Sequence, residues 1–163
     1  NLLKLFLDAE EKKLPNPYMK KSPLKKSKKP SLTVAYVRNK IVWPLISKFV
    51  RLSESNSHGV GHCITCGVAK HYKELQAGHF NPGRWNSIIF ELRGIHSQCY
   101  HCNVGLKGNP REYDKYMRKK YGDKVVEELD LLSKQTVQFD VPQLLAMVGE
   151  YRVKVKELLA NKN

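Results

Sequence analysis

The fold depends on three short segments, which read C-I-T-C-G at residues 63–67, A-G-H-F at residues 77–80 and I-H-S-Q-C-Y-H-C-N at residues 95–103. They contain the four cysteines of the chain as two Cys-x-x-Cys pairs, Cys63 with Cys66 and Cys99 with Cys102. Each pair can form a tight turn that offers two thiolates to one ion, and two such turns complete a tetrahedral site. The spacing therefore predicts a zinc site made of four cysteines.

The same cysteines allow two other interpretations, and both are weaker. Two disulfides are possible, but a basic chain without a secretory signal is expected in a reducing cytosol, where paired Cys-x-x-Cys motifs favour metal. Redox chemistry at one pair would leave the other pair unexplained. Because four thiolates leave no open coordination position, we expect the Zn²⁺ to be structural and to hold together a segment too short to form its own core.

The residues between the pairs predict a strand–loop–strand–helix arrangement. Extended segments are expected at residues 75–80, 88–92 and 94–96, with a turn at residues 81–83. His79 lies on the first extended segment. A short helix is predicted over residues 102–107, with Asn103 near its start and Gly108 at its end.

These motifs resemble the HNH, or ββα-metal, nucleases, and they resemble more closely the NinG/Rap family of lambdoid-phage recombination nucleases. The likeness rests on the three segments above and on K-G-N at residues 107–109, and it extends more weakly from about Ser31 to the C-terminus. It implies an α+β fold in which a small zinc-stabilised ββα-metal core is flanked by helices.

The resemblance also implies a function. A member of this family would be a metal-dependent endonuclease that acts on branched DNA such as Holliday junctions and D-loops. It would use structural Zn²⁺ and catalytic Mg²⁺ or Mn²⁺, with recombination proteins of phage or host as possible partners. We would expect it in the cytoplasm of a phage-infected or prophage-carrying bacterium.

Two glycines depart from the HNH pattern. Many HNH enzymes have Asp or His as a metal ligand immediately before the catalytic histidine, where this chain has Gly78. An Asn that usually lies five residues before the third cysteine is Gly94 here. The first departure suggests a cation with one protein ligand, Asn103. The second leaves the orientation of His79 unexplained.

Hydrolysis of a phosphodiester needs a base for the attacking water, and stabilisation of charge at the phosphate and the leaving oxygen. A neutral histidine can accept the proton near physiological pH, and a divalent cation on an Asn carbonyl can stabilise the charge. We therefore assign His79 as general base and Asn103 as ligand of the catalytic cation. His96 and Arg84 are candidates for phosphate contact or transition-state support. Lys107, one helical turn after Asn103, is expected to contact a phosphate.

Basic charge favours a nucleic-acid partner. The chain has 29 Lys and Arg against 15 Asp and Glu, a formal net charge of +14. Prolines and clustered lysines make the segment from Pro15 to Pro30 unable to bury apolar area, and we expect residues 1–30 to form a basic, disordered arm, although residues 1–13 could form a short amphipathic helix. Six lysines of the arm are predicted to bind DNA phosphates, although a solvated linker is the alternative; they are Lys20, Lys21, Lys25, Lys26, Lys28 and Lys29.

The rest of the chain is predicted to be mainly helical around the zinc segment. We expect an N-terminal helical segment at residues 31–57, a zinc-clamped nuclease core at 58–108 and C-terminal helices at 109–163. No apolar run approaches the roughly 18 residues of a membrane-spanning helix, so no membrane association is expected.

In the N-terminal segment apolar residues recur at helical spacing, with a kink or break expected at Pro44. The predicted face consists of Val34, Val37, Ile41, Leu45, Phe49 and Leu52.

The C-terminal part predicts three helices. The first begins at Asn109-Pro110 and ends at Gly122, and Asp123 is expected to cap the second. Asp140 and Gln143 form a predicted capping box for the third. The apolar stripe of the third helix would also suit a coiled coil, so a homodimer is left open; it consists of Leu144, Val148, Tyr151, Val155 and Leu158.

A non-catalytic zinc module that binds DNA is the alternative function. Basic charge and four cysteines fit this class equally well, and only His79 and Asn103 favour the enzyme. The glycine at position 78, which removes a usual metal ligand, favours the module.

Overall fold

Helices flank a small β region in the computed structural model, which describes residues 32–83 and 85–162. The order of helices and strands is that of a mixed α+β protein, so the predicted α+β class is confirmed. The predicted arm at residues 1–30, with the six lysines predicted to contact DNA, and the candidate Arg84 lie outside the described residues.

The first helix, α1, is continuous through three segments, Val34–Tyr36, a π-helical Val37–Val42, and Trp43–Ser53. The Trp43 N–H donates to the carbonyl of Arg38, five residues earlier. Pro44 follows directly, and its ring would clash with the carbonyl four residues before it in a regular helix. The wider π-helical turn accommodates that clash. The predicted kink or break is therefore a π-helical segment in an unbroken helix.

The π-helical segment also moves the buried face of α1 by one position. A π-helical turn contains about one residue more than an α-helical turn. The buried positions after Val37 are consequently Val42, Ile46, Val50 and Leu52. The predicted positions Ile41, Leu45 and Phe49 are only half-buried. The predicted stripe is wrong at Ile41 and Leu45 because a constant period cannot follow the extra residue, whereas Phe49 still packs against the cluster that contains Leu52.

A hairpin encloses the first cysteine pair. Strand β1 (Val60–His62) pairs antiparallel with β2 (Ala69–His71), and the first cysteine pair lies in the connection between them. Gly67 has a φ of 78° there, and its N–H donates to the Cys63 carbonyl at 2.8 Å. The sequence analysis did not predict this hairpin.

The second sheet contains the predicted histidine strand. Strand β3 (Leu75–His79) pairs antiparallel with β4 (Ile95–Cys99), with Gly78 opposite His96. Residues 88–92 were predicted to be extended, and this prediction is wrong. They form turns that lead into a 3₁₀ helix at Leu92–Gly94. Two consecutive buried isoleucines there do not alternate between two faces, as a half-buried strand would.

The second cysteine pair leads from β4 into a short π-helical segment, His101–Gly105. This segment ends before the predicted 102–107 helix does. Lys107 has a φ of 51°, and Gly108 a φ of 92°, so the chain turns there. Lys107 is therefore not one helical turn after Asn103, although its side chain is exposed and its predicted phosphate contact stays a prediction.

Three helices complete the chain, α2 (Pro110–Tyr121), α3 (Asp123–Ser133) and α4 (Val141–Ala160). The capping box of Asp140 and Gln143 is confirmed, with reciprocal bonds of 2.7 and 3.0 Å. The N-cap of α3 is Gly122 rather than Asp123, which instead lies in the first turn. An acidic residue there still complements the helix dipole.

Helix α4 packs against α1 within the same chain. Phe49 of α1 and Tyr151 of α4 meet edge to face, with ring centroids 5.3 Å apart. The stripe that also suited a coiled coil is thus used inside the chain, and a homodimer stays a prediction. Across residues 32–83 and 85–162, no helix has both the length and the apolar character needed to span a membrane.

Candidate functional site

The four cysteines converge on one point. Their sulfur atoms all lie within 4.8 Å of one another, and the Cys66 and Cys99 sulfurs are 3.8 Å apart. Zinc–sulfur bonds of about 2.3 Å in a tetrahedron place the sulfurs about 3.8 Å from each other. The four cysteines are therefore positioned to bind a metal ion, and the set of donors is that of structural zinc.

Hydrogen bonds and burial give the four thiols unequal acidity. Burial raises the pKa of the Cys63 thiol, but hydrogen bonds from Thr65 and from backbone amides outweigh burial and lower the pKa to about 6. At Cys66 a backbone bond at Val68 favours the thiolate, but burial and the neighbouring thiols raise the pKa to about 12. Four thiols this close cannot all ionise unless a cation compensates their charge.

Backbone bonds fix the two halves of this cluster. The Ile64 N–H donates to the Ser97 carbonyl at 3.0 Å, which ties the first pair to strand β4. At the second pair, the Cys102 N–H donates to the Cys99 sulfur at 3.4 Å. Such outer bonds orient metal ligands before the metal is bound. Since Asn103 directly follows Cys102, the cluster also fixes the backbone that carries this asparagine.

A cavity of about 460 Å³ lies beside the cluster, between α1 and strand β3. It contains both residues that the sequence singled out for chemistry, His79 and Asn103. The other residues that line it are Trp43, Ser47, Arg51, Leu75, Gln76 and Ala77. The structure thus brings the predicted base and the predicted cation ligand to one cavity.

His79 is oriented by two residues that the sequence analysis did not identify. Its Nε2 lies 3.2 Å from the Ile89 carbonyl oxygen, and its ring stacks on Trp43 with centroids 4.6 Å apart and planes 22° apart. A carbonyl only accepts, so Nε2 carries the hydrogen and Nδ1 is the basic nitrogen of the neutral ring. No sequence signal marks a backbone carbonyl, and the stacking joins residues distant in sequence.

Asn103 is oriented by its neighbour on β3. The Asn103 Nδ2 donates to Gln76 Oε1 at 2.7 Å. The Asn103 Oδ1 points toward Gly78, where it would lie 2.9 Å from a Cβ atom. A carbonyl oxygen of this kind is a preferred ligand of Mg²⁺ and Mn²⁺.

Arg51 is a cavity residue that the sequence analysis missed. Its Nε donates to the Ser47 carbonyl at 2.9 Å, and its Nη1 donates to the carbonyls of Tyr72 at 3.0 Å and Leu75 at 3.2 Å. Burial lowers its pKa, yet a guanidinium remains charged at any physiological pH. A rigid positive charge therefore lines the cavity. The residues one helical turn before Arg51, Ser47 and Lys48, are only half-buried, so no sequence signal distinguished this arginine.

The structure places His96 away from the cavity. The side chain is 2% exposed, its Nδ1 bonds the Glu54 carboxylate, and its Nε2 lies 3.1 Å from the Arg93 carbonyl oxygen. The Tyr121 hydroxyl is 3.3 Å from the same nitrogen. This environment favours a structural role for His96 and does not favour the predicted contact with phosphate.

Comparisons with known proteins give a family match over most of the chain. The family model described as Bacteriophage Lambda NinG protein matches residues 5–161. The protein ninG of Escherichia phage lambda is 28% identical over 97 residues, which are 59% of this chain and 47% of that protein. The protein ninG of Salmonella phage P22 is 29% identical over 97 residues, which are again 59% of this chain and 47% of that protein. The chain thus spans about half the length of these relatives, and no solved structure matches it.

Proposed function

The chain belongs to the NinG family of lambdoid-phage proteins, and from this premise we propose that it is a metal-dependent endonuclease for branched DNA. The observation that carries the proposal is the shared cavity, in which His79 and Asn103 are each oriented by a hydrogen bond. A pre-oriented base beside a carbonyl ligand is the minimum that hydrolysis of a phosphodiester requires of a protein.

In this proposal His79 removes a proton from water. Its Nδ1 accepts the proton, while Nε2–H keeps its bond to the Ile89 carbonyl. That carbonyl also stabilises the imidazolium that forms, since the ring then donates from both nitrogens. The Trp43 ring holds the imidazole plane, so the basic nitrogen keeps one direction.

The donor present at Asn103 fits a hard divalent cation. A cation bound there would stabilise charge on the phosphate and on the leaving oxygen. The residue's amide nitrogen is held by Gln76, so it is the carbonyl oxygen that remains for the cation. Asn103 is in turn fixed by the cysteine cluster one residue before it, which gives the zinc an indirect part in positioning the cation ligand.

Arg51 is the residue that we propose for contact with the scissile phosphate. Three backbone carbonyls hold its guanidinium at the cavity wall, so little ordering is needed when DNA binds. A fixed positive charge at the reacting phosphate is a common source of stabilisation in phosphoryl transfer. This role was expected of His96 or Arg84, of which His96 lies elsewhere and Arg84 remains a candidate.

A DNA substrate is supported by the charge of the chain, 29 Lys and Arg against 15 Asp and Glu. The preference for branched DNA, and for recombination intermediates in particular, rests on the resemblance to the family and on the basic arm. Phage or host recombination proteins as partners, and the cytoplasm of the infected or prophage-carrying bacterium as location, belong to the same proposal.

A non-catalytic zinc module that binds DNA is the second candidate. One observation favours it: none of the described residues that line the cavity is an aspartate or a glutamate. A cation site without a carboxylate binds weakly unless DNA phosphates complete it.

The test is cleavage of a four-way junction by the zinc-loaded chain, with Mg²⁺, with Mn²⁺ and with a chelator too weak to remove zinc. We expect cation-dependent nicking by the wild type and a loss of about 10² to 10⁴-fold in His79→Ala, with DNA binding retained. His62→Ala, a change at an exposed histidine on β1, is the matched control. Nicking by His79→Ala within about tenfold of the wild-type rate would show that His79 is not the base.

A further inference from the structure

Gln98 is the buried polar side chain closest to the proposed cation site. It lies on β4, directly opposite Gln76 of β3, and is 0% exposed. Its Nε2 donates to the Gly108 carbonyl at 2.8 Å and lies 3.2 Å from the Thr65 hydroxyl oxygen. Because a backbone carbonyl can only accept, the nitrogen must be on that side and the oxygen on the other.

The oxygen of Gln98 has no hydrogen-bond partner among the described residues. A buried carbonyl oxygen without a partner loses its hydration and gains nothing in exchange. Such an atom requires an explanation, and an ordered water, a ligand or an ion would each supply the missing partner.

The same oxygen lies beside Asn103 Oδ1, next to Gly78. A Cβ atom at Gly78 would be 2.1 Å from Gln98 Oε1 and 2.9 Å from Asn103 Oδ1. The Asn103 amide nitrogen is turned away, toward Gln76. Two partly negative oxygens thus converge on one side of a glycine, and a positive charge between them would remove their repulsion.

We propose that Gln98 Oε1 and Asn103 Oδ1 together bind the divalent cation, so that Gln98 is its second protein ligand. Gly78 leaves room for the Gln98 side chain, since any larger residue would collide with its oxygen. This inference rests on the proposed function and deepens it by adding a ligand from the neighbouring strand. Two neutral ligands bind a cation weakly, so DNA phosphates complete its coordination.

The experiment measures binding of Mn²⁺ to the zinc-loaded chain by electron paramagnetic resonance, without DNA. Gln98→Met keeps the length of the side chain and removes its oxygen, and we expect a loss of affinity of about tenfold or more. Asn103→Ala should cost a similar factor. The double variant should lose much less than the product of the two factors, because both changes remove ligands of one ion. Gln135→Met, at an exposed glutamine, is the control.

A second pair of variants is informative even where Gln98→Met fails to fold. Gln98→Glu adds a charged ligand and should tighten Mn²⁺ binding, because affinity follows the charge of the ligands. Gln76→Glu adds the same charge on the facing strand and should tighten it less. Zinc content and thermal unfolding establish which variants are folded.

Three outcomes would overturn the inference. The first is an unchanged Mn²⁺ affinity in a folded Gln98→Met protein. The second is a loss of affinity in the double variant equal to the product of the two single losses. The third is an equal gain of affinity in Gln98→Glu and Gln76→Glu. In these cases Asn103 would instead donate its amide to Gln98. Cation-dependent cleavage lost in His79→Ala, together with any of these outcomes, would leave the proposed function intact. Mn²⁺ bound as expected without cleavage of any DNA would reject the function and keep the site.

Discussion

At the scale of single residues, the pair of Glu54 and His96 links the end of α1 to strand β4. Burial alone would raise the pKa of Glu54, but hydrogen bonding and the charge of His96 outweigh burial and hold the pKa below its usual range. The Ser97 N–H also donates to the carboxylate, at 2.6 Å. A side chain far from the cavity thereby fixes the strand that carries Gln98 and Cys99.

The depressed pKa of Glu54 predicts loss of stability in acid. A carboxyl whose pKa is lower in the folded state stabilises the fold above its unfolded pKa of about 4.3, and this contribution is lost as pH falls through the folded value. Glu54→Gln should lower the free energy of unfolding by about 2 kcal/mol at pH 7, since it replaces the charge-assisted hydrogen bonds of His96 and Ser97 with weaker neutral ones. Denaturant titrations between pH 7 and about pH 2 measure both effects.

The control for this prediction is Glu150→Gln, because Glu150 forms an exposed pair with Lys154 on α4. Exposed pairs contribute at most about 1 kcal/mol. A Glu54→Gln protein as stable as this control, with an unchanged pH dependence, would show that the buried pair adds no net stability.

Sequence spacing was sufficient to identify site residues that follow a metal-ligand motif. It was insufficient to identify residues whose role depends on contacts in three dimensions. Cys63 and its three partners were predicted to lie together, and their sulfurs do. His79 and Asn103 were chosen by their place between the cysteine pairs. Arg51 and Gln98 were missed, because their importance depends on which carbonyls and which glycine they face in three dimensions.

At the scale of elements, the cysteine cluster joins the β1–β2 hairpin to the β3–β4 pair. We predict that Cys66→Ser loses the zinc and the hydrogen-exchange protection of β3 and β4, because metal binding and folding are coupled in such segments. Cys66 is the exposed member of the four, so the change itself removes little packing. Zinc content and amide exchange are the measurements.

A matched control for the cysteine prediction is Thr65→Ala, which removes a hydrogen-bond partner of the Cys63 sulfur at 3.3 Å and keeps all four thiols. It should retain zinc. A Cys66→Ser protein free of zinc but with full protection in β3 and β4 would contradict the structural role of the metal.

The π-helical segment of α1 predicts an unusual tolerance to deletion. Removing the exposed Lys40 would leave an α-helical step between Val37 and Val42, so the buried face would stay aligned. Pro44→Ala should accompany the deletion, since a proline inside a regular helix costs about 3 kcal/mol. We expect this protein to keep its zinc and most of its stability in denaturant titration.

Deletion of Lys48 in the same Pro44→Ala background is the comparison, because Lys48 lies in the regular part of α1. It rotates the residues on one side of the deletion by about 100° and should unfold the helix. Equal stability of the two deletion variants would show that α1 tolerates the loss of a residue no better in its π-helical segment than in its regular part. Sequence periodicity could not locate the additional residue of α1, because the predicted and the observed sets of buried positions are both apolar.

At the scale of the whole molecule, the basic arm at residues 1–30 predicts how DNA binding depends on salt. Each phosphate contact adds about 0.9 to the slope of log affinity against log salt. Removing the arm should weaken binding, flatten this slope, and reduce activity on a four-way junction more than on a linear duplex. Full-length and truncated chains on both substrates at two salt concentrations provide the comparison.

An arm in which the six lysines between residues 20 and 29 are exchanged for glutamine controls for length, since it keeps the tether and removes the clustered positive charge. If truncation left the ratio of junction to duplex activity unchanged, the arm would be a general tether. Selectivity would then reside in the described part of the chain.

Because Trp43 stacks on His79, the orientation of the proposed base depends on two separate parts of the sequence. The ring that steadies the base comes from α1, and α1 is held in place by α4 from the opposite end of the sequence. A peptide cut to residues 58–108 would keep its four thiols and the Ile89 carbonyl, but its histidine would lose the ring that stacks on it. Residues 58–108 alone therefore do not contain every residue that orients His79. Recombination between related genes that separates residue 43 from residue 79 should yield proteins that bind zinc and lack the proposed endonuclease activity.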